Sequence, residues 1–209
     1  MEFRLLYSGR LLGAARNNPR VAQKHAIRKA FHPQLKQLWA THHNLIELVG
    51  VAGAQNTPYD ANTRVDASDR IAAGLNYLAK WEHSGYKFLP LVTEKLRLRC
   101  SLDILFLRPE ELRFLIKSGD LDARLKTVFD ALRIPADRSE IGEASPAADE
   151  TPFYCLLEDD KLISEIHVTT DRLLLLPQER EVDANDVFLV VNVTLKPTRP
   201  TPYYEWVFE

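Results

Sequence analysis

Cysteine is nearly absent from the chain. Its two copies in 209 residues, Cys100 and Cys155, form no CxxC pair, which excludes a disulfide framework and a cysteine-based zinc site. Glycine is sparse as well, with eight residues. None falls in a GxGxxG or GxxxxGKS/T arrangement, so the common backbone cradles for nucleotide phosphates are missing. HExxH and GxSxG are absent too. No apolar run approaches the roughly 18 to 20 residues that span a bilayer, and residues 1–10 carry no apolar signal core. These absences lead to the expectation of a soluble, unexported, cytoplasmic protein with reduced thiols and no membrane partner.

What is present is an ordinary globular composition, 45% hydrophobic and 27% charged, which excludes global disorder, collagen and coiled coil. The length fits a single domain with a sizeable core. The net charge of -2 conceals an asymmetry. Residues 1–100 hold 15 Lys+Arg and 7 Asp+Glu, whereas residues 101–209 hold 12 and 22. A basic half beside an acidic half has two readings: contact with a polyanion, or self-complementary packing of one half on the other.

Along the chain, residues 2–7 read as a first strand. From Arg20 to Thr41 the pattern is helical, and Pro33 predicts a break into two short helices. Residues 44–53 are apolar and ambiguous, and 55–67 read as a loop. A helix over 69–81 follows, with Ser68 placed to cap it. The clearest strand is 96–106, where Leu96, Leu98, Cys100, Leu102, Ile104 and Phe106 alternate with mostly polar residues. Residues 86–93 before it suit a hairpin partner, with Thr93-Glu94-Lys95 as the turn. Residues 121–134 form the best amphipathic helix, through Leu121, Leu125, Val128, Phe129 and Leu132. Residues 136–150 are rich in Ala, Ser, Pro and acids and read as a mobile loop. Strands are expected at 153–157, 162–169 and 187–195.

Two acidic clusters stand out. Asp120 and Asp122 sit where a turn enters the strong helix, and Lys126 lies one helical turn beyond Asp122 on the same face. Glu158-Asp159-Asp160 sits at a strand end. Converging carboxylates suit Mg2+, which takes oxygen ligands in an octahedron. Such a metal can orient water for attack on a phosphodiester while a lysine offsets the developing charge. The same residues also suit a capped helix start, with Asp122 near the positive end of the dipole and Lys126 paired to Asp122 or Asp130.

The string Gly119-Asp120-Leu121-Asp122, followed by Leu125-Lys126, Phe129-Asp130-Ala131-Leu132 and later Glu158-Asp159-Asp160, resembles the RusA family of Holliday junction resolvases. That resemblance implies an α/β (α+β) fold, a mixed sheet flanked by helices in a single domain, here with insertions at about 44–90 and 136–152. It also implies a homodimer and Mg2+-dependent endonuclease cleavage of branched DNA, with Mn2+ as the alternative metal. Carried over, Asp120, Asp122 and Asp160 would be the metal-binding catalytic carboxylates, Lys126 the catalytic lysine and Asp159 an additional acid. Ala123 stands where the family carries Asn. The loop before the acidic pair is longer than the family's.

Arg10, Arg16, Arg20, Lys24 and Arg28, with Lys29 and Lys36, form the candidate nucleic-acid-binding arm. Phosphate contacts from such an arm would bring salt dependence without sequence specificity. His25 and His32 are expected on the same solvated basic surface. The adjacent His42 and His43 cannot share a helix face, and so chelate poorly. Asp159-Asp160-Lys161 also fits a (D/E)xK half-motif, whose upstream acid would be Asp137 or Asp149. Tyr203, Tyr204, Trp206 and Phe208 could stack on bases or pack on a core. A reading from another class is a nucleic-acid-binding or complex-forming protein whose RusA-like nuclease site is impaired.

Overall fold

Alternation in the strand at Leu98–Arg108 organises the molecule. Leu98, Cys100, Leu102, Ile104 and Phe106 are buried, while Arg99 and Asp103 face solvent. A pleated strand sends successive side chains to opposite faces, so this pattern yields a sheet with one covered face. The computed structural model describes residues 1–13, 20–57, 66–79, 81–109, 120–174, 183 and 185–198, apart from the side chains of Trp81 and Asp120. In chain order the elements are β1 (Glu2–Arg10), α1 (Val21–Thr41), α2 (His43–Asn56), α3 (Ala67–Leu78), β2 (Trp81–His83), β3 (Tyr86–Val92), β4 (Leu98–Arg108), α4 (Asp120–Leu132), β5 (Phe153–Leu157), β6 (Ile163–Arg172) and β7 (Asp186–Pro197). Single 3-10 turns occupy Arg138–Glu140 and Asp160–Leu162.

The class is α+β, with two mixed sheets. The larger has the order β1-β7-β4-β6, and only its β4–β6 pair is parallel. The smaller has the order β2-β3-β5, with β3 parallel to β5. Cross-strand pairs such as Leu102 with Val193, Ile104 with Val191 and Phe106 with Leu189 build the inner face of the large sheet. On that core lie Ile27, Phe31, Leu35 and Trp39 of α1, spaced one turn apart, and Val128, Ala131 and Leu132 of α4. Leu89 and Leu91 of β3 and Leu156 of β5 join the same cluster, so one core serves both sheets.

Several sequence expectations need correction. α1 runs unbroken through Pro33. That residue is on the exposed face, where the carbonyl it leaves without an N–H partner can be hydrated. Residues 44–53 are helical, within α2. The α3 cap is Asp66, which accepts from the Ala67 N–H at 2.7 Å, and Ser68 instead donates its hydroxyl to Asp66. β3 does not form a hairpin with β4. Its residues 88–92 are all buried, the mark of a strand covered on both faces and paired in parallel. Arg97, at φ 51°, then turns the chain into the other sheet. Residues 136–150 are not a free loop: Ile141 and Glu150 are buried, and Ile141 packs with Tyr86, Phe88, Ile134 and Phe153.

α2 and α3 cross at two glycines. A Cβ on Gly74 would lie 2.1 Å from the Val49 carbonyl oxygen, and one on Gly53 would lie 2.0 Å from that of Arg70. Those contacts are with backbone, which cannot rotate away, and overpacking of this kind costs about 1–3 kcal/mol. Gly74→Ala is therefore expected to part the two helices locally. Hydrogen exchange checks this: α3 amides should lose protection while β4 amides keep theirs, and unchanged α3 protection would show that the helices do not approach so closely.

Candidate functional site

Lys24 and Arg28 of the basic stripe of α1 face inward, onto the acidic half of the chain. Lys24 is 6% exposed and its Nζ lies 2.6 Å from Asp130 Oδ2. Arg28, at 1% exposure, donates to the carbonyls of Asp130 at 2.7 Å, Glu140 at 3.1 Å and Arg133 at 3.2 Å. The Asp130 and Arg133 carbonyls lie at and just beyond the end of α4, where orphan acceptors and the negative end of the dipole favour a cation, and the Glu140 carbonyl belongs to the 3-10 turn that follows. Arg28 acts as the cap of that helix. Burial lowers its pKa to about 10, which leaves it charged at neutral pH. Arg133 bridges Asp130 at 3.2 Å and Glu140 at 2.7 Å. Lys29 pairs with Glu150 at 3.0 Å, and Lys36 donates to the Asp149 carbonyl.

This corrects the placement of the candidate arm. Lys24 and Arg28 are internal, and their charges are matched within the protein. Arg16 lies outside the described residues, as do the tail aromatics Tyr203, Tyr204, Trp206 and Phe208. Arg10 and Arg20 remain accessible. His25 and His32 are also internal, against expectation. His25 Nε2 meets the Tyr86 hydroxyl at 3.1 Å, and His32 stacks on Phe153 at 4.5 Å. His32 Nδ1 accepts from the Tyr154 N–H at 2.9 Å and its Nε2 faces the Asp149 carbonyl at 3.3 Å. That pairing uses the neutral Nε2–H tautomer.

One end of the molecule collects the residues that do face solvent. Thr127 of α4 donates to the Leu12 carbonyl just after β1, and Arg124 donates to Asn185 just before β7. The start of α4 therefore lies at the end where β1 finishes and β7 begins. Asp122 and Lys126 are exposed there, one turn apart. Asp120 is the first residue of α4, and its side chain lies outside the described set. At the same end an open concavity of about 340 Å3 is lined by Arg10, Leu12, Arg20, Val21, Ala22 and Gln23. α1 begins in it with no side-chain cap and no acid in its first turn. The Gln23 amide pins the connection, accepting from the Leu12 N–H at 3.0 Å and donating to the Arg10 carbonyl at 2.9 Å. No sequence signal marks Gln23, because both of its partners are backbone.

The second acidic cluster lies at the opposite end. Ile134, just past α4, donates its N–H to the Leu157 carbonyl. An open concavity of about 470 Å3 there is lined by His83, residues 133–136, Glu158, Asp159 and Asp160. From Asp122 to Leu132 the helix rises about 15 Å. Asp160 also leads into β6 beside the start of β4, and that end of the sheet is remote from Leu12 and Asn185. Asp122 and Asp160 are thus not brought together. A single Mg2+, with ligand oxygens at about 2 Å, does not fit a ligand set spanning both. Among the described residues no group of three or more His, Cys, Asp or Glu could hold a metal.

The second cluster has local roles instead. Glu158 accepts from the Glu94 N–H at 2.9 Å, Asp159 caps its 3-10 turn through the Lys161 N–H, and Lys161 pairs with Glu94 at 2.9 Å. Of the upstream acids considered for a (D/E)xK motif, Asp137 is held by Ser139.

No family model matches the chain, and neither a curated protein nor a solved structure matches it. Among the described residues no helix is long and apolar enough to cross a membrane.

The buried histidines give the fold a defined acid response. Burial, followed by the charges of Arg28 and Lys29, lowers the His25 pKa from 6.5 to about 4, and burial also lowers that of His32. The unfolded chain therefore binds more protons than the folded one between these values. Unfolding free energy is expected to be at its full value above pH 6.5 and to fall as the pH drops towards 4. Urea melts across this range check it: His25→Gln should flatten the slope, and an unchanged slope would remove His25 from the effect.

Proposed function

We propose that this chain binds the phosphodiester backbone of nucleic acid at the end of the molecule where α1 and α4 begin. The observation that carries this reading is the concavity in which Arg10 and Arg20 flank the uncapped start of a 21-residue helix. First-turn N–H groups that meet no side-chain cap among the described residues, the positive end of the helix dipole and two guanidiniums all favour an anion. Lys24, Arg28 and Lys29 of α1 are matched by Asp130, Glu140 and Glu150, and Arg10 itself lies 3.4 Å from Asp183, so the expected footprint at this end is small. Its affinity is correspondingly modest and steeply salt-dependent. The resemblance of the sequence to RusA resolvases makes branched DNA the first substrate to try. In this reading the chain is a nucleic-acid-binding protein whose RusA-like metal site is impaired.

A second reading, Mg2+-dependent endonuclease activity, is favoured by one observation. Asp122 and Lys126 are exposed on one face of α4 at the same end as Arg10 and Arg20. Asp120 and Asp122 would be its carboxylates, and Asp160 is too far away to complete their set.

Fluorescence anisotropy with a four-way junction, a linear duplex, a single strand and an RNA, each across a salt series, tests the first reading. Replacing Arg10 and Arg20 with Ala is expected to weaken binding to all of them and to reduce the salt slope by about one for each lost contact. Undiminished binding by that double variant, or no salt-sensitive binding by the wild type, contradicts it. Incubation of the same DNAs with Mg2+ separates the two readings: cleavage that Asp122→Asn abolishes establishes the second.

A further inference from the structure

The outer face of the large sheet is apolar at its centre. Side chains paired across neighbouring strands share a face. Leu6, Val190 and Leu105 form one such row across β1, β7 and β4, and Ser8, Phe188 and Leu107 form the next. Both rows lie opposite the inward Leu5, Val191 and Ile104. Among the described residues α1 and α4 pack on the inner side, and none of these outward residues belongs to the core they build. Leu6 is 47% exposed, and Phe188, Val190, Leu105 and Leu107 are partly exposed. Charge is graded across the same face. β1 presents Arg4 and Arg10, six residues and about 20 Å apart, with Glu2 as its acid. Arg4 is exposed and forms no ion pair among the described residues. Acids gather on the other side, at Asp103 of β4 and at Glu165 and Asp171 of β6. Two of them have partners: Asp103 bonds His167, and Glu165 pairs with Lys196. Arg10 belongs both to this face and to the concavity at the start of α1.

We propose that this face takes unpaired nucleotides, with the phosphates of a single strand along β1 and its bases laid over Phe188, Leu6 and Val190. The inference rests on the reading of the Arg10 and Arg20 concavity as a phosphate site and extends it to a class of substrate. A duplex keeps its base faces inside its own stack and offers nothing apolar to an open sheet. An unpaired strand offers both a charged backbone and the faces of its bases, which suit an aromatic ring and an apolar floor. The gradient of charge sets the orientation. Arg4 and Arg10 attract phosphate on the β1 side, and the carboxylates of β4 and β6 repel it from the other. Base amino groups are the donors that suit Asp103 and Asp171 on that side.

Fluorescence anisotropy at near-physiological salt tests this with a single strand, as DNA and as RNA, its duplex, and an abasic strand of the same length. The wild type is expected to bind the single strand more tightly than the duplex, and about tenfold more tightly than the abasic strand, the scale of one stacked base. Phe188→Ala and the exposed-site variant Leu6→Ala, each checked for folding by circular dichroism, should weaken single-strand binding and leave abasic binding unchanged. Arg4→Ala should lower the single-strand salt slope by about 0.7, the value of one phosphate contact. Equal affinity for abasic and base-bearing strands, or wild-type affinity for the single strand in both Phe188→Ala and Leu6→Ala, would overturn the inference and leave the phosphate reading intact. Binding that survives replacement of Arg10 and Arg20, or no binding to any of these probes, contradicts the phosphate reading and this inference with it.

Discussion

Lys24, Arg28 and Arg133 meet Asp130 and Glu140 in one desolvated seam between α1 and the C-terminal end of α4. Charges removed from water are tolerated only where partners replace the lost hydration. Three cations and two carboxylates would leave one positive charge unmatched. The carbonyls of Asp130, Arg133 and Glu140 accept from Arg28 and supply the balance. Such a network contributes less to net stability than apolar packing of equal volume would, but breaking it strands a buried charge. It therefore fixes which surface of α1 meets α4 and sets the segment after α4 against α1. Lys29 with Glu150, and Asp149 with Lys36 and His32, continue the seam along the helix.

Function follows from what this seam consumes. The basic half of the sequence suggested a phosphate-binding arm, but most of its α1 cations answer acids from the other half. Arg10 and Arg20 lie outside the seam, beside the start of α1. At the same end the motif residues Asp122 and Lys126 face solvent, while Asp159 and Asp160 sit beyond the far end of α4. The motif that resembles a resolvase is therefore divided between the two ends of one helix. That division supports the binding reading over cleavage by a metal held between the two clusters.

Much of the fold was legible in the sequence because alternation and helical periodicity are local. β4, β5, β7 and α4 were expected within a few residues of where they lie. What was not legible depended on distant partners. Pro33 signals a break, yet the surrounding apolar stripe is packed strongly enough to carry the helix through. The apolar run of β3 reads equally as a hairpin arm or as a buried parallel strand, and only β5, more than sixty residues on, decides. His25 and His32 look solvated among their basic neighbours. Burial against Phe153 and Tyr86 is invisible from spacing. The asymmetry of charge between the halves was visible, and both of its readings fitted. Only the pairing distances separate self-complementary packing from an outward-facing arm.

The charge of Lys24 is matched inside the protein by Asp130. A double-mutant cycle followed by urea unfolding measures that coupling, with Lys24→Met, Asp130→Asn and the pair together. Each single variant is expected to be destabilised, and the double variant to be more stable than the sum of the two losses implies, by at least about 1 kcal/mol. Strictly additive losses would contradict the account, because Lys24 would then be uncoupled from Asp130 and its charge would be free to meet a partner outside the chain.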